Sequence, residues 1–196
     1  MDTTAKKIRV FSLLLALLAL LPGASRSEVT GPAEEFSAVQ ILTGPQGEEK
    51  GRIFCSQDRW RVELNFQGKP MVQVFRLDKK VIWIMMPEDK VFLQMPLFPD
   101  QIPWAEKVPG EVERKLLGEE SVRGHPALKY IVKVWNGEIA SEIYLWISQQ
   151  LKVPVKTSSL DGRSGSELQD IKVGPQPGEL FEVPADFKLI SPLPHP

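Results

Sequence analysis

Between residues 36 and 173, short apolar runs recur about every ten residues, with turn signals between them. The runs are 36–43, 52–55, 59–66, 71–77, 81–86, 91–95, 112–121, 128–135, 139–147, 153–159 and 167–173. They are separated by Gly44-Pro45-Gln46-Gly47, Gln67-Gly68, Asp78-Lys79, Glu88-Asp89, Gly124-His125-Pro126, Asn136-Gly137 and Asp161-Gly162. No segment keeps a helical period for three turns. Connections this short join only antiparallel neighbours. A flat open sheet of about ten or eleven strands would be unusual. The expected fold is therefore all-β or β-dominated: a strongly curved antiparallel sheet with little helix.

The registers of the central hairpins sort their side chains. Two-residue loops at Gln67-Gly68, Asp78-Lys79 and Glu88-Asp89 place Trp60, Val62, Leu64, Phe66, Met71, Phe75, Leu77, Ile82, Ile84, Met86, Val91, Leu93 and Met95 on one face. The opposite face collects Val72, Val74, Val81, Trp83, Met85 and Phe92. Strands over 71–95 are thus apolar on both sides, which a sheet with one wet face does not accept. All four methionines after residue 27 (Met71, Met85, Met86 and Met95) fall here, and flexible thioethers suit surfaces that fit variable apolar shapes. The candidate cavity is lined by Trp60, Val62, Leu64, Phe66, Met71, Phe75, Ile82, Ile84, Met86, Leu93 and Met95. The candidate cover is the four-proline segment 96–111, through Leu97, Phe98, Ile102 and Trp104. A further hairpin, with Asn136-Gly137 as a two-residue loop, pairs Val134 with Ile139 and Val132 with Ser141. One side of it is apolar. Trp135, Tyr144 and Trp146 lie on the mixed side with Lys129, Lys133 and Glu142.

The N-terminus reads as an address. Lys6, Lys7 and Arg9 precede Val10–Leu21, twelve residues that are apolar except Ser12. Small residues suited to a signal peptidase follow, up to Ser27. As a helix those twelve residues rise about 18 Å, short of the ~30 Å of a bilayer core. The reading is a signal peptide over 1–27, one domain over 28–190, and a flexible tail over 191–196. It implies export to the periplasm or beyond, with no transmembrane anchor after cleavage. Cleavage takes four of 24 basic and one of 25 acidic residues, leaving 20 against 24. That balance gives no footprint for nucleic acid.

Chemistry is sparse. The two histidines, His125 and His195, and the single cysteine, Cys55, leave neither a His/Cys metal cluster nor an internal disulfide. Cys55 reads as a small buried hydrophobe. No nucleophile elbow, zincin, P-loop or dinucleotide motif occurs. Glu34-Glu35, Glu48-Glu49 and Glu119-Glu120 are adjacent pairs, whose members point to opposite faces of a strand. They read as solvated edge charges. Neither an enzyme nor a cofactor is expected.

Several stretches together resemble a known group. They are Gly44-Pro45-Gln46-Gly47-Glu48-Glu49-Lys50-Gly51, Asp58-Arg59-Trp60-Arg61-Val62-Glu63, Val81-Ile82-Trp83-Ile84-Met85-Met86-Pro87, Gly118-Glu119-Glu120-Ser121-Val122-Arg123-Gly124-His125-Pro126, Tyr144-Leu145-Trp146-Ile147 and Phe181-Glu182-Val183-Pro184. From about Phe36 to Ile190 this order resembles an exported subfamily of the LolA/LolB-like superfamily of outer-membrane lipoprotein carriers and sorting proteins. The resemblance implies an antiparallel half-barrel, or unclosed barrel, with an apolar concave side that accepts acyl chains. The expected partner is the acyl chains of a lipid or lipoprotein. The alternative is an envelope interaction or sensor module, its interior self-filled, docking a protein through Trp135, Tyr144 and Trp146.

Overall fold

The computed structural model describes residues 31–98, 102, 107–135 and 137–190. Residues 1–27, read as a signal peptide, Trp104 and the tail from 191 lie outside these residues. The strands are β1 (Phe36–Gly44), β2 (Gly47–Ser56), β3 (Arg59–Phe66), β4 (Lys69–Arg76), β5 (Val81–Met86), β6 (Val91–Pro96), β7 (Glu111–Val122), β8 (His125–Trp135), β9 (Ala140–Ser148), β10 (Pro154–Ser159), β11 (Gly165–Val173) and β12 (Lys188–Leu189). They form one sheet, in the order β12-β6-β5-β4-β3-β2-β1-β11-β10-β9-β8-β7. Two meanders, β1–β6 and β7–β11, are thus joined by the long-range β1–β11 pairing. The sheet is unclosed: an antiparallel half-barrel.

The central registers follow from turn chemistry. Gln67 and Gly68 both adopt positive φ, the conformation a two-residue hairpin turn requires, so Phe66 faces Lys69. The next two turns differ from the expected two-residue loops. They hold four residues, closed by Lys80 N–H onto the Leu77 carbonyl and Lys90 N–H onto that of Pro87, each lysine left-handed. The ladders still pair Arg76 with Val81 and Met86 with Val91, so the side-chain sorting is unchanged. The 136–139 loop also has four residues. Trp135 faces Ala140 and Val134 faces Ser141, not Ile139. This slip of two preserves the faces, because the side-chain period is two.

Two strands depart from the sequence reading. β2 begins at Gly47 rather than Arg52, because the polar stretch Gly47-Glu48-Glu49-Lys50-Gly51 pairs along β1 down to Gly44↔Gly47. β12 is parallel to β6, the one pairing of the described sheet that is not antiparallel.

The main core lies on one face, here called inner. It gathers Phe36, Ile53, Cys55, Trp60, Phe75, Ile82, Val122, Ala127, Trp146, Val155 and Leu168, from ten strands. Outside the strands, Leu97, Ile102, Leu151 and Val153 pack into the same cluster, and curvature of the sheet brings its ten strands around them. Residues 97–110 link β6 to β7 near opposite edges of the sheet. On the way they bury Leu97 and Ile102 to 8% and 3% exposure against the inner cluster.

The outer face of β4–β5 has its own cluster: Val72, Val74, Trp83 and Met85 around Phe181, which is fully buried. The doubly apolar strands thus have their second cover in 178–190, a 3₁₀ turn (Gly178–Phe181) followed by β12. The sequence reading did not single out this strap.

Candidate functional site

The residues read as a cavity divide by depth. Trp60, Val62, Phe75 and Ile82 are buried and fill the closed end of the half-barrel. Leu64, Phe66, Met71, Ile84, Met86, Leu93 and Met95 are half-buried. Cross-strand pairing makes all but Met95, which faces Ile82, one continuous band over the far ends of β3–β6: Leu64 faces Met71, Ile84 faces Leu93 and Met86 faces Val91. The interior is therefore packed at one end and lined with accessible apolar side chains at the other. Of the cover residues, Leu97 and Ile102 pack on the inner cluster and Phe98 is 52% exposed.

Beside this band the sheet splits. The β2–β3 ladder runs from Ser56↔Arg59 to Arg52↔Glu63 and stops there. The β1–β2 and β3–β4 ladders continue to their turns. The two hairpins splay apart and leave a groove of about 460 Å³ lined by Lys50, Arg52, Arg61, Glu63, Leu64, Met71 and their neighbours. Gly51 sits at its crotch, where a Cβ would come within 2.7 Å of the Glu63 carbonyl oxygen. The sequence reading missed the cations of this groove, since Arg61 and Glu63 alternate as on a solvated face. The signal that could have found them was Gly47–Gly51 read as a strand.

The mixed side of the β8–β9 hairpin is not an open aromatic patch. Trp146 is buried, and its indole N–H donates to Glu120 at 2.8 Å. The Lys129 ammonium lies 4.9 Å from both the Tyr144 and Trp146 rings and pairs with Glu120. These two donors hold the Glu120 carboxyl below its usual range. Trp135 alone of the three aromatics is exposed, at 41%. Glu35 likewise is not a solvated edge charge. It accepts from Ser56 Oγ and the Gln176 backbone N–H, tying β2 to the segment after β11.

Among the described residues, Glu167 has three side-chain donors on its carboxylate. Burial pushes its pKa up, but hydrogen bonds from Lys156, Arg123 and Gln169 outweigh that and hold it at about 2. Cys55 is fully buried, and burial pushes its thiol up, away from the reactive thiolate. Among the described residues no three His, Cys, Asp or Glu side chains gather as metal ligands, and no helix is long and apolar enough to cross a membrane.

No protein-family model matches the chain, and a search of curated proteins finds no match. Solved structures do match in fold. An uncharacterized conserved protein from Thermus thermophilus superposes with a TM-score of 0.59 at 14% identity, over 97% of this chain and 100% of its own. MucB superposes at 0.53 and 14% identity, over 79% of this chain and 58% of its own. The Pseudomonas aeruginosa MucA/MucB complex gives 0.51 at 14% identity, over 79% of this chain and 57% of the matched one. The chain thus spans little more than half of MucB. These likenesses are of fold alone, and the fold they share with the chain is the unclosed antiparallel half-barrel expected from the sequence.

Proposed function

We propose that this chain is an exported, periplasmic binding or carrier protein whose half-barrel shelters acyl chains of a lipid or lipoprotein. The half-buried apolar band of β3–β6 carries this reading. It prolongs a filled core into side chains that meet water, as a surface built for an apolar guest does. Each methylene sheltered there contributes about 0.8 kcal/mol, so binding requires no catalysis. Native mass spectrometry of the protein purified from membranes tests it, and the expected result is lipid retained near unit stoichiometry. Bare protein that also takes up no fatty acid or apolar dye overturns it. Ile84→Asp is expected to cut uptake at least about tenfold, with circular dichroism confirming the fold.

A second reading, an envelope interaction module, is favoured by one observation. β7 is a free edge of the sheet, and Val112, Leu116 and Leu117 on it are 61%, 54% and 47% exposed. The rest of β7 is largely charged, but the outward backbone groups of an edge strand are templates for pairing, and MucB, of like fold, is known in a complex with MucA.

A further inference from the structure

We propose that the groove where β2 and β3 part binds a single-chain anionic amphiphile, headgroup toward the outer face and tail toward the inner band; this rests on the carrier reading. Residues of both faces line the groove. Arg52, Arg61 and Glu63 lie on the outer face, because Arg52 pairs with Glu63 and residues alternate along each strand. Gly51, Leu64 and Met71 belong to the inner face and open onto the apolar band. A molecule in the groove therefore touches cations at one end and hydrocarbon at the other.

The charge fits an anion. Lys50, Arg52 and Arg61 stand against one carboxylate, Glu63, leaving an excess of two positive charges at the rim. Arg61 is held in place. Its Nε donates to Glu63 at 2.7 Å, and its Nη1 donates to the Leu180 carbonyl at 2.9 Å. A guanidinium fixed before binding loses little entropy when it accepts a headgroup. Arg52 also pairs with Glu63 and is largely exposed, so its head is free to turn toward an incoming anion. The size fits one chain. About 460 Å³ lies at the low end of the ~300–1,000 Å³ of small-molecule pockets, which favours a fatty-acid-like ligand over a several-chain lipoprotein anchor. Gly51 is required at the crotch, since a side chain there meets the Glu63 carbonyl and Leu64.

Isothermal titration of the mature protein with laurate, lauryl alcohol and acetate is the test. Laurate is expected to bind at least about tenfold tighter than the alcohol, with the difference shrinking as salt rises. The double variant Lys50→Glu/Arg52→Glu changes exposed side chains. It is expected to abolish that preference and leave the alcohol unchanged. Should it fail to fold by circular dichroism, Lys50→Gln/Arg52→Gln replaces it, with the same loss of preference expected. Equal binding of laurate and alcohol by the native protein overturns the headgroup site while the carrier reading stands. Acetate binding as tightly as laurate overturns it as a mere ion site. A folded variant that keeps the preference overturns it too. No binding of any amphiphile overturns both readings.

Discussion

Arg76 is a cation placed among hydrocarbons. It is 4% exposed and lies 5.4 Å from the Trp83 ring. It donates to Asp78, to Glu182 and to the Phe181 carbonyl. Hydrogen bonding to this guanidinium pulls Asp78 below its usual range. Burial pushes Glu182 up, but its bonds to Arg76 and Lys79 win and leave it low as well. Arg76→Leu is expected to cost about 1–3 kcal/mol in urea unfolding, because it leaves the buried Phe181 carbonyl without its donor, while Asp78 and Glu182 stay in reach of water. Glu167 makes a separate prediction. Its carboxyl is held at about 2 in the folded chain against an ordinary 4.5, so its contribution is fully present above about pH 4.5 and lost as pH falls toward 2. Glu167→Gln is expected to flatten the acid limb of a pH–stability profile in that window. Neither role was legible in the sequence. Arg76 shares a face with Val72 and Val74, and two of its partners, Phe181 and Glu182, lie more than a hundred residues along the chain. Periodicity shows which way a side chain points and says nothing of what meets it there.

Strand periodicity was the most legible part. The apolar runs marked β3 and β5 to the residue, and most other strands within a few. Turn lengths read two residues short at three hairpins kept every side chain on its face, since an even error in register is silent in the pattern. What escaped was structure without apolar alternation: the polar start of β2, the two-residue β12, and the strap over 178–190. Phe181 is the strap's anchor. Phe181→Ala is expected to cost about 3–5 kcal/mol and to raise binding of an environment-sensitive dye, as Val72, Val74, Trp83 and Met85 meet water. Hydrogen exchange over β4–β5 would quicken with it. Unchanged stability would show that the outer cluster is held by something other than this ring.

At the scale of the molecule, adjacency of neighbouring strands was legible and closure was not. That β1 pairs with β11, and that β6 and β7 lie at or beside opposite edges, depends on contacts no local signal encodes. For the same reason the candidate cavity divided into a filled half and an accessible half: all eleven residues share a face, and only curvature decides which are sealed. The β7 edge gives a prediction at this scale. Leu117→Lys is expected to shift stability by no more than about 0.5 kcal/mol, while abolishing capture of any protein that adds a strand there, read by pull-down from an envelope extract. Strap and strands also stand in a fixed order along the chain. Residues 178–190 follow everything they cover, so a ribosome delivers the β4–β5 outer surface long before its lid. The unfinished chain carries a greasy flank throughout its synthesis, open to aggregation until the strap arrives.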